Sequence, residues 1–322
     1  MREIFINEFG RLRSGWRLLI FIAAFIALSL VLATIGRVVV VVIGLGGPSR
    51  AAQFIAELVF RFGLLAAALG AGYFCARFLE GLPWRSLGLT FHSGWLRDLV
   101  FGVVIGFASL VVAVAIASKG LSFSIGDTGW PAIVRSMIGS GVLLFVAALA
   151  EEAMFRGYGL QTLSRAKLAW LGVLLTSVPF GLVHLTNPNV VPGVTFANTA
   201  LAGIWLAAAY LRTRSLWLPL GVHWAWNSAL GWFFGLPISG LNLVSNPLLQ
   251  SADSGPKWLT GGSYGIEGGI ACTLALILFT AFLWKTRRLS ATPELEQMTS
   301  EENPATSEPV LSIRPIEGLR TS

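Results

Sequence analysis

The stretch GVLLFVAALAEEAMFRGY, residues 141–158, ends an apolar run with two adjacent glutamates, Glu151 and Glu152, and sets Arg156 four residues after the second. Carboxylates at membrane depth are energetically costly, so the few that occur there usually have a functional role. In a helix Glu152 and Arg156 share one face, with the acid first, which favours an ion pair. Glu151 points about 100° away and has no partner nearby in the sequence, so it is free to face a cavity and act as a base. The alternative is that the cluster anchors the inner end of a span.

The composition of the whole chain indicates which class of protein contains this stretch. Of the 322 residues, 55% are hydrophobic and 12% are charged, whereas an ordinary soluble domain has roughly 25% charged residues. Several apolar runs have about 20 residues, the length of a transmembrane helix. The formal charge of +7 does not indicate nucleic-acid binding, because there is no basic stripe with aromatic residues between. We therefore predict an all-α, polytopic integral membrane helical bundle in contact with lipid, with no nucleic-acid partner.

The apolar runs predict about eight transmembrane helices. We place them near residues 18–44, 53–79, 98–118, 132–155, 168–186, 197–211, 216–236 and 267–284. Basic residues concentrate in the loops of one side, which the positive-inside rule assigns to the cytoplasm. They are Arg11, Arg13, Arg17, Arg77, Arg85, Arg97, Arg156, Arg165, Lys167, Arg212, Arg214, Lys285, Arg287 and Arg288. Both termini of this multi-pass protein are then cytoplasmic, which requires an even number of spans, and the expected location is the cell membrane.

The chain divides into three parts. Residues 1–17 carry apolar side chains at helical spacing with arginines between them, which predicts an interfacial amphipathic helix. Residues 18–288 form the transmembrane bundle, with residues 130–236 as its motif-bearing core. Residues 289–322 are rich in Ser, Thr, Pro and Glu and predict a disordered cytoplasmic tail, because they cannot bury enough apolar surface to fold.

Two of the three histidines also lie in apolar segments. His184 ends the sequence FGLVH, residues 180–184, and the nearby Pro179 and Gly181 indicate a local kink that can open space beside it. A histidine in such a position is more often structural than catalytic, and that interpretation stays open.

His223 and Asn227 belong to the sequence HWAWN and share one helix face at a spacing of four. The Asn227 amide can orient the imidazole or donate to a developing oxyanion. The alternative is a hydrogen-bonded pair between helices. Together with Glu151 and His184, these residues supply the parts for hydrolysis: one carboxylate base, two imidazoles and one amide donor.

Zinc is an alternative account of the same residues. Glu151, His184 and His223 can supply one oxygen and two nitrogens and leave a fourth position for water. However, the chain has no His-Glu-x-x-His motif, and the three ligands would come singly from three helices. We therefore favour direct activation of water by the glutamate, without a metal or other cofactor, and keep zinc as the alternative.

We predict structural roles for the other charged residues within the membrane. Glu57 and Arg61 are four residues apart in the second span and can pair with each other. His92 lies in the loop between the second and third spans, and no role is assigned to it.

Three motifs give the chain a family resemblance. EEAMFR fits Glu-Glu-x-x-x-Arg, FGLVH fits Phe-x-x-x-His and HWAWN fits His-x-x-x-Asn. In this order and spacing they resemble the CPBP family, the CAAX prenyl proteases and bacteriocin-processing enzymes, also called the Abi family. The resemblance covers roughly residues 130–236.

The resemblance implies an eight-helix intramembrane endopeptidase whose cavity opens toward the cytoplasm. Glu151 would activate the attacking water with help from His184, and His223 and Asn227 would stabilise the oxyanion. Glu152 and Arg156 would hold the site together. The substrate would be a membrane-associated peptide or protein, either prenylated, leader-bearing or otherwise tethered. The alternative is a non-enzymatic membrane scaffold or transporter that uses the buried polar cluster. A transporter is expected to have paired broken helices in its two halves, and the sequence shows none.

Overall fold

The computed structural model describes residues 2–47, 49–126 and 128–299, and most of them are helical. Ten helices in this described part have seven residues or more: α1 (Ser14–Val42), α2 (Arg50–Leu79), α3 (Trp95–Ile116), α4 (Trp130–Phe155), α5 (Tyr158–Arg165), α6 (Ala169–Val183), α7 (Val194–Thr213), α8 (Trp217–Ser228), α9 (Ile270–Lys285) and α10 (Pro293–Thr299). Short helical turns lie at Arg2–Phe5, Trp84–Leu87, His184–Thr186 and Lys257–Thr260, and a π-helical turn, Ala229–Phe233, continues α8.

The prediction of an all-α polytopic bundle is confirmed. Six helical segments of the described chain are long and apolar enough to cross a membrane: α1, α2, α3, the continuous pair α4–α5, α6 with its following turn, and α7. The predicted seventh and eighth spans correspond to α8 with its π-turn and to α9, which has only 16 residues. Ten of the twelve α8 residues are buried, so α8 is an inner helix that does not need a lipid-facing surface.

A small two-stranded sheet, which we did not predict from the sequence, joins two loops. Strand β1 (Leu121–Ile125) runs antiparallel to β2 (Leu249–Asp253), with Leu121 opposite Asp253 and Ile125 opposite Leu249. The sheet therefore holds the loop after α3 and the loop before α9 at the same end of the bundle. Four of the predicted spans separate these loops, and an even number of crossings requires the same side.

The N-terminal segment differs from the predicted continuous helix. The Asn7 side-chain oxygen accepts hydrogen bonds from the backbone of Phe9 and Arg11, at 3.1 and 2.9 Å. Gly10 adopts a φ of 73°, which glycine tolerates without strain. The chain consequently turns back, and the Trp16 indole stacks on Phe5 with ring centroids 5.0 Å apart. An asparagine that bonds its own backbone competes with helix formation.

The segment after α9 also differs in part from the predicted disordered tail. Leu289 and Leu295 are buried, and Thr292 accepts a hydrogen bond from the backbone of Leu295 at 3.4 Å, at the start of α10. These two apolar side chains explain why α10 packs on the bundle. Residues 300–322 of the predicted tail lie outside the described residues.

Backbone contact between α3 and α8 fixes the helix that carries His223. A Cβ atom added at Gly102 would lie 2.3 Å from the Leu218 carbonyl oxygen, and one at Gly106 would lie 2.2 Å from that of Val222. The relation is reciprocal, because a Cβ atom added at Gly221 on α8 would lie 2.3 Å from the Leu99 carbonyl oxygen. Glycines four residues apart allow helices to approach this closely in membranes, so only glycine fits these positions without a shift of backbone.

A buried ionic cluster ties α1, α2 and α5 together at the predicted cytoplasmic end. Glu80 Oε2 lies 2.7 Å from Arg17 Nη1 and 2.6 Å from Arg165 Nη1, and all three side chains are almost wholly buried. Thr162 donates to the other carboxylate oxygen at 2.8 Å. Burial by itself would raise the pKa of the Glu80 carboxyl, but the two guanidinium groups outweigh it and hold that pKa below its usual value.

A second polar cluster holds the loop before α3 against the start of α8. His92, to which no role was assigned, is buried. Its Nε2 atom lies 3.3 Å from Ser215 Oγ and 3.6 Å from Asp98 Oδ2. The Trp217 indole donates to the Thr90 carbonyl at 2.9 Å. The cluster is therefore structural, and it positions the first turn of the helix that bears His223.

Candidate active site

The predicted ion pair between Glu152 and Arg156 is present, and both side chains are fully buried. Arg156 Nη1 donates to Glu152 Oε1 at 3.1 Å, and its Nη2 donates to the Gly203 carbonyl at 3.1 Å. The guanidinium also lies over the Phe180 ring, 4.5 Å from its centroid. Arg156 therefore joins α4, α6 and α7 around Glu152.

His223 connects α8 to both glutamates. Its Nδ1 atom lies 2.8 Å from Glu152 Oε1, which makes a hydrogen bond between α8 and α4. Its Nε2 atom lies 3.8 Å from Glu151 Oε2. Because a carboxylate oxygen is an acceptor, Nδ1 is the donor, and Nε2 is the ring atom that faces the remaining space beside Glu151.

Glu151 has no charged partner on its own helix, as predicted, but it has one on another helix. Arg61 on α2 donates from Nη1 to Glu151 Oε1 at 3.4 Å. Arg61 also donates from Nε to Glu57 Oε1 at 2.7 Å. The predicted pair of Arg61 with Glu57 is therefore present, and Glu151 is a second partner of the same guanidinium. Local spacing along one helix could not show a partner ninety residues away.

His184 is the first residue after α6, at a turn that follows Pro179 within the helix. Its Nδ1 donates to the Phe180 carbonyl at 2.6 Å, and its ring centroid lies 4.6 Å from that of Phe180. The bond fixes the ring and leaves Nε2 for another partner. No hydrogen bond joins His184 to Glu151 or His223, all of which belong to the described chain.

Asn227 follows His223 by one turn of α8 and is half-buried. Its side-chain amide forms no hydrogen bond with any residue that the structure describes. A polar amide in this position has donors available to a bound molecule.

One cavity of about 520 Å³ is lined by all four predicted catalytic side chains, Glu151, His184, His223 and Asn227. Ligand sites in proteins commonly measure about 300–1,000 Å³. The cavity reaches α1 and α2, where its wall is made by Phe25, Ile26, Leu30, Phe60 and Arg61. Apart from Arg61 and Ser29 this wall is apolar. Ile26 and Leu30 are exposed on the outer surface of the bundle, so the wall is continuous with the lipid-facing side.

The cavity also contains a polar group that the sequence analysis missed. The Glu267 carboxylate accepts hydrogen bonds from the Trp226 indole at 3.0 Å, from the Ser239 hydroxyl at 3.1 Å and from the Ser239 backbone N–H. The sequence did hold a signal, because Glu267 is the single acidic residue between Asp253 and Glu294 and falls within the predicted eighth span. Its contacts tie the loop before α9 to the residue next to Asn227.

Glu151, His184 and His223 are the residues that the zinc alternative would use. Within the described ranges, no three His, Cys, Asp or Glu side chains are grouped so that they could hold a metal ion. Arg61 engages Glu151 Oε1, and the hydrogen bond of His223 Nδ1 to Glu152 leaves Nε2 for either a metal or a water. The chemistry proposed below uses the side chains alone and routes no step through a metal.

Comparison with known proteins agrees with the motifs. The family model described as "Rce1-like: Type II CAAX prenyl endopeptidase Rce1-like" matches residues 133–229, which include Glu151, His184, His223 and Asn227. No curated protein and no solved structure matches the chain. The family is a branch of the CPBP family, so the match supports a CAAX-type endopeptidase in a multi-pass membrane protein. Residues 133–229, the segment that holds the whole motif set, are therefore similar to the Rce1-like family of type II CAAX prenyl endopeptidases.

Proposed function

We propose that this protein is an intramembrane endopeptidase that hydrolyses peptide bonds of membrane-associated peptides with a water molecule activated by Glu151. One observation carries the proposal: a base, two imidazoles and a free amide from three separate helical regions line the same cavity. Such a set meets the needs of acyl hydrolysis, which are a base for the water and donors for the oxyanion.

The first half of the reaction is attack by water. The water lies between Glu151 and Nε2 of His184 and is oriented by both. As its oxygen bonds to the scissile carbonyl carbon, Glu151 takes one of its protons, and the carbonyl oxygen becomes an oxyanion. Asn227 donates to this oxyanion from its amide. His223 donates from Nε2 as the imidazolium, because its Nδ1 already donates to Glu152.

The second half is collapse of the tetrahedral intermediate. The C–N bond breaks, and the nitrogen of the leaving peptide takes the proton that Glu151 received from the water. The carboxyl fragment keeps the oxygen of the water, and Glu151 returns to its ionised form. The two products together contain the atoms of the peptide and one water, so no redox partner or further reactant is needed.

Glu152 and Arg156 support the site in this proposal and do not touch the substrate. Glu152 accepts from both Arg156 and His223, at 3.1 and 2.8 Å. Leaving one member of a buried charged pair alone costs about 3–5 kcal/mol, so loss of either residue affects folding as well as the position of His223.

The substrate we propose is a peptide held at the membrane, either prenylated or carrying a leader or another tether. Apart from Ser29 and Arg61, the cavity wall on α1 and α2 is apolar, and it reaches the lipid-facing surface at Phe25, Ile26, Leu30 and Phe60. Such a wall suits a chain that arrives from the bilayer. We also propose that both termini are cytoplasmic and that the protein lies in the cell membrane, as the distribution of arginines and lysines predicts.

The test is cleavage of a tethered peptide by the purified full-length protein in nanodiscs. The substrates are a peptide with a prenylated cysteine near its C-terminus, and the same peptide without the prenyl group. Glu151→Gln is compared with Glu296→Gln, which removes an exposed carboxylate on α10. We expect the wild type and Glu296→Gln to cleave, with or without a chelator, and Glu151→Gln to be inactive.

Two results would contradict the proposal. Failure of the wild type to cut any tethered peptide, while Glu151→Gln keeps its biological activity, favours the scaffold or transporter. Loss of cleavage with chelator and its return with zinc favours metal catalysis over direct activation by Glu151.

A further inference from the structure

We propose that Arg61 is a positioning residue of the reaction, which fixes the Glu151 carboxylate through an ion pair and is itself braced by Glu57. The inference rests on the proposed function, since it assigns to Glu151 the role of base. Arg61 lies on α2, well before the segment 133–229 that the family model matches.

The geometry is a guanidinium shared by two carboxylates on different helices. Arg61 Nε lies 2.7 Å from Glu57 Oε1, and Arg61 Nη1 lies 3.4 Å from Glu151 Oε1. The planar fork of arginine can serve two acceptors in fixed directions, which a lysine ammonium cannot do. The side chains of Arg61 and Glu151 are only 26% and 19% exposed, so this pair is less screened than a surface salt bridge.

Among the charged groups of the site, Arg61 is the cation available to position Glu151. On its own helix, Arg156 is committed to Glu152 and to the Gly203 carbonyl. The histidines and the other glutamate that line the cavity are His184, His223 and Glu267, and of these His223 lies 3.8 Å from Glu151, from Nε2 to Oε2. Among the described residues that line the cavity, Arg61 is the single arginine or lysine.

The pair leaves one carboxylate oxygen for chemistry. Arg61 holds Oε1, while Oε2 lies on the side of His223, 3.8 Å from its Nε2. A carboxylate held at one oxygen keeps its plane, so Oε2 presents a fixed lone pair to the attacking water. A misplacement of about 1 Å in such a group can cost about 10²-fold in rate.

The experiment measures kcat and KM of the full-length protein on the tethered peptide. The variants are Arg61→Gln, Arg61→Lys and Glu57→Gln, and the matched control is Arg135→Gln, an exposed arginine on α4. We expect Arg61→Gln to lower kcat about 10²-fold with KM unchanged. Arg61→Lys should recover part of kcat, Glu57→Gln should lower kcat by less than Arg61→Gln, and the control should match the wild type.

A rise in KM with kcat unchanged would overturn the inference, because it would make Arg61 a ligand for a substrate carboxylate. Equal kcat values for wild type and Arg61→Gln would also overturn it. A thermal double-mutant cycle with Arg61→Gln and Glu151→Gln supplies a readout independent of turnover. We expect the double variant to lose less Tm than the sum of the single losses.

The cycle separates failure of this inference from failure of the proposed function. Non-additive Tm losses in a protein that cuts no peptide would overturn the proposed function and support the pair. Additive losses in an active enzyme would overturn the role of Arg61.

Discussion

The Nδ1 atom of His223 lies 2.8 Å from Glu152 Oε1, although the two residues are 71 positions apart in the chain. This hydrogen bond joins two sequence motifs and gives the adjacent glutamates different tasks. Glu152 is fully buried and engaged by Arg156 and His223, whereas Glu151 lines the cavity. We therefore expect the same substitution at the two carboxylates to have different effects.

Glu151→Gln is expected to abolish cleavage in a protein that still folds, with no greater loss of Tm than removal of its ion pair with Arg61 causes. The amide keeps the shape of the side chain but cannot take a proton from water. Purified yield, Tm and turnover on a tethered peptide check this expectation together.

Glu152→Gln is expected mainly to lower protein yield and Tm. The change leaves Arg156 as a buried charge without its carboxylate, which costs about 3–5 kcal/mol. If Glu152→Gln stops turnover in a fully stable protein while Glu151→Gln only destabilises, our assignment of the base is wrong.

Asn227→Ala is expected to preserve the fold and reduce kcat by about 10²–10³-fold, as loss of an oxyanion donor does in other hydrolases. The fold should persist because the Asn227 side chain makes no hydrogen bond within the described structure. Asn246→Ala, in the loop before β2, is the control and should cleave like the wild type. Unchanged kcat in Asn227→Ala would remove Asn227 from the mechanism.

Gly106→Ala is expected to lower Tm, because the added Cβ would lie 2.2 Å from the Val222 carbonyl oxygen and push α3 away from α8. Overpacking of this kind typically costs about 1–3 kcal/mol. Gly139→Ala on α4 is the matched control, since nothing lies within 4 Å of its added Cβ. Equal Tm values for the two variants would show that the contact between α3 and α8 is looser than described.

Glu80 is expected to make stability depend on pH. Its pKa is lowered in the folded protein, so its contribution is complete above the unfolded value of about 4.3 and is lost as pH falls through the lower folded value. Tm of wild type minus Tm of Glu80→Gln should therefore be large at neutral pH and shrink in acid. A difference that stays constant across this range would contradict the ionised cluster with Arg17 and Arg165.

The sequence could predict the features that depend on local periodicity. The fold class follows from apolar runs as long as a bilayer is thick, and the pair of Glu152 with Arg156 follows from a spacing of four in a helix. The motifs also placed Glu151, His184, His223 and Asn227 in one group. The structure brings them to one cavity, while their catalytic roles remain predictions.

Features that depend on packing between helices could not be read from the sequence. The partner of Glu151 is Arg61 on another helix, and the partner of His223 is Glu152, so neither spacing is local. Six of the eight predicted spans are long and apolar enough to cross a membrane, whereas α8 is a short inner helix and α9 has only 16 residues. The turn at Asn7 was not predicted, because the spacing of apolar residues carries no information about a side chain that hydrogen-bonds the nearby backbone.

The central claim is that Glu151 activates a water molecule for attack on a peptide bond inside the bundle. Mass spectrometry of the products formed in H₂¹⁸O tests it most directly, with purified wild type and Glu151→Gln acting on the same tethered peptide. We predict one ¹⁸O atom in the new C-terminal carboxylate with the wild type and no product with Glu151→Gln. Labelled product formed by Glu151→Gln at the wild-type rate would contradict the account.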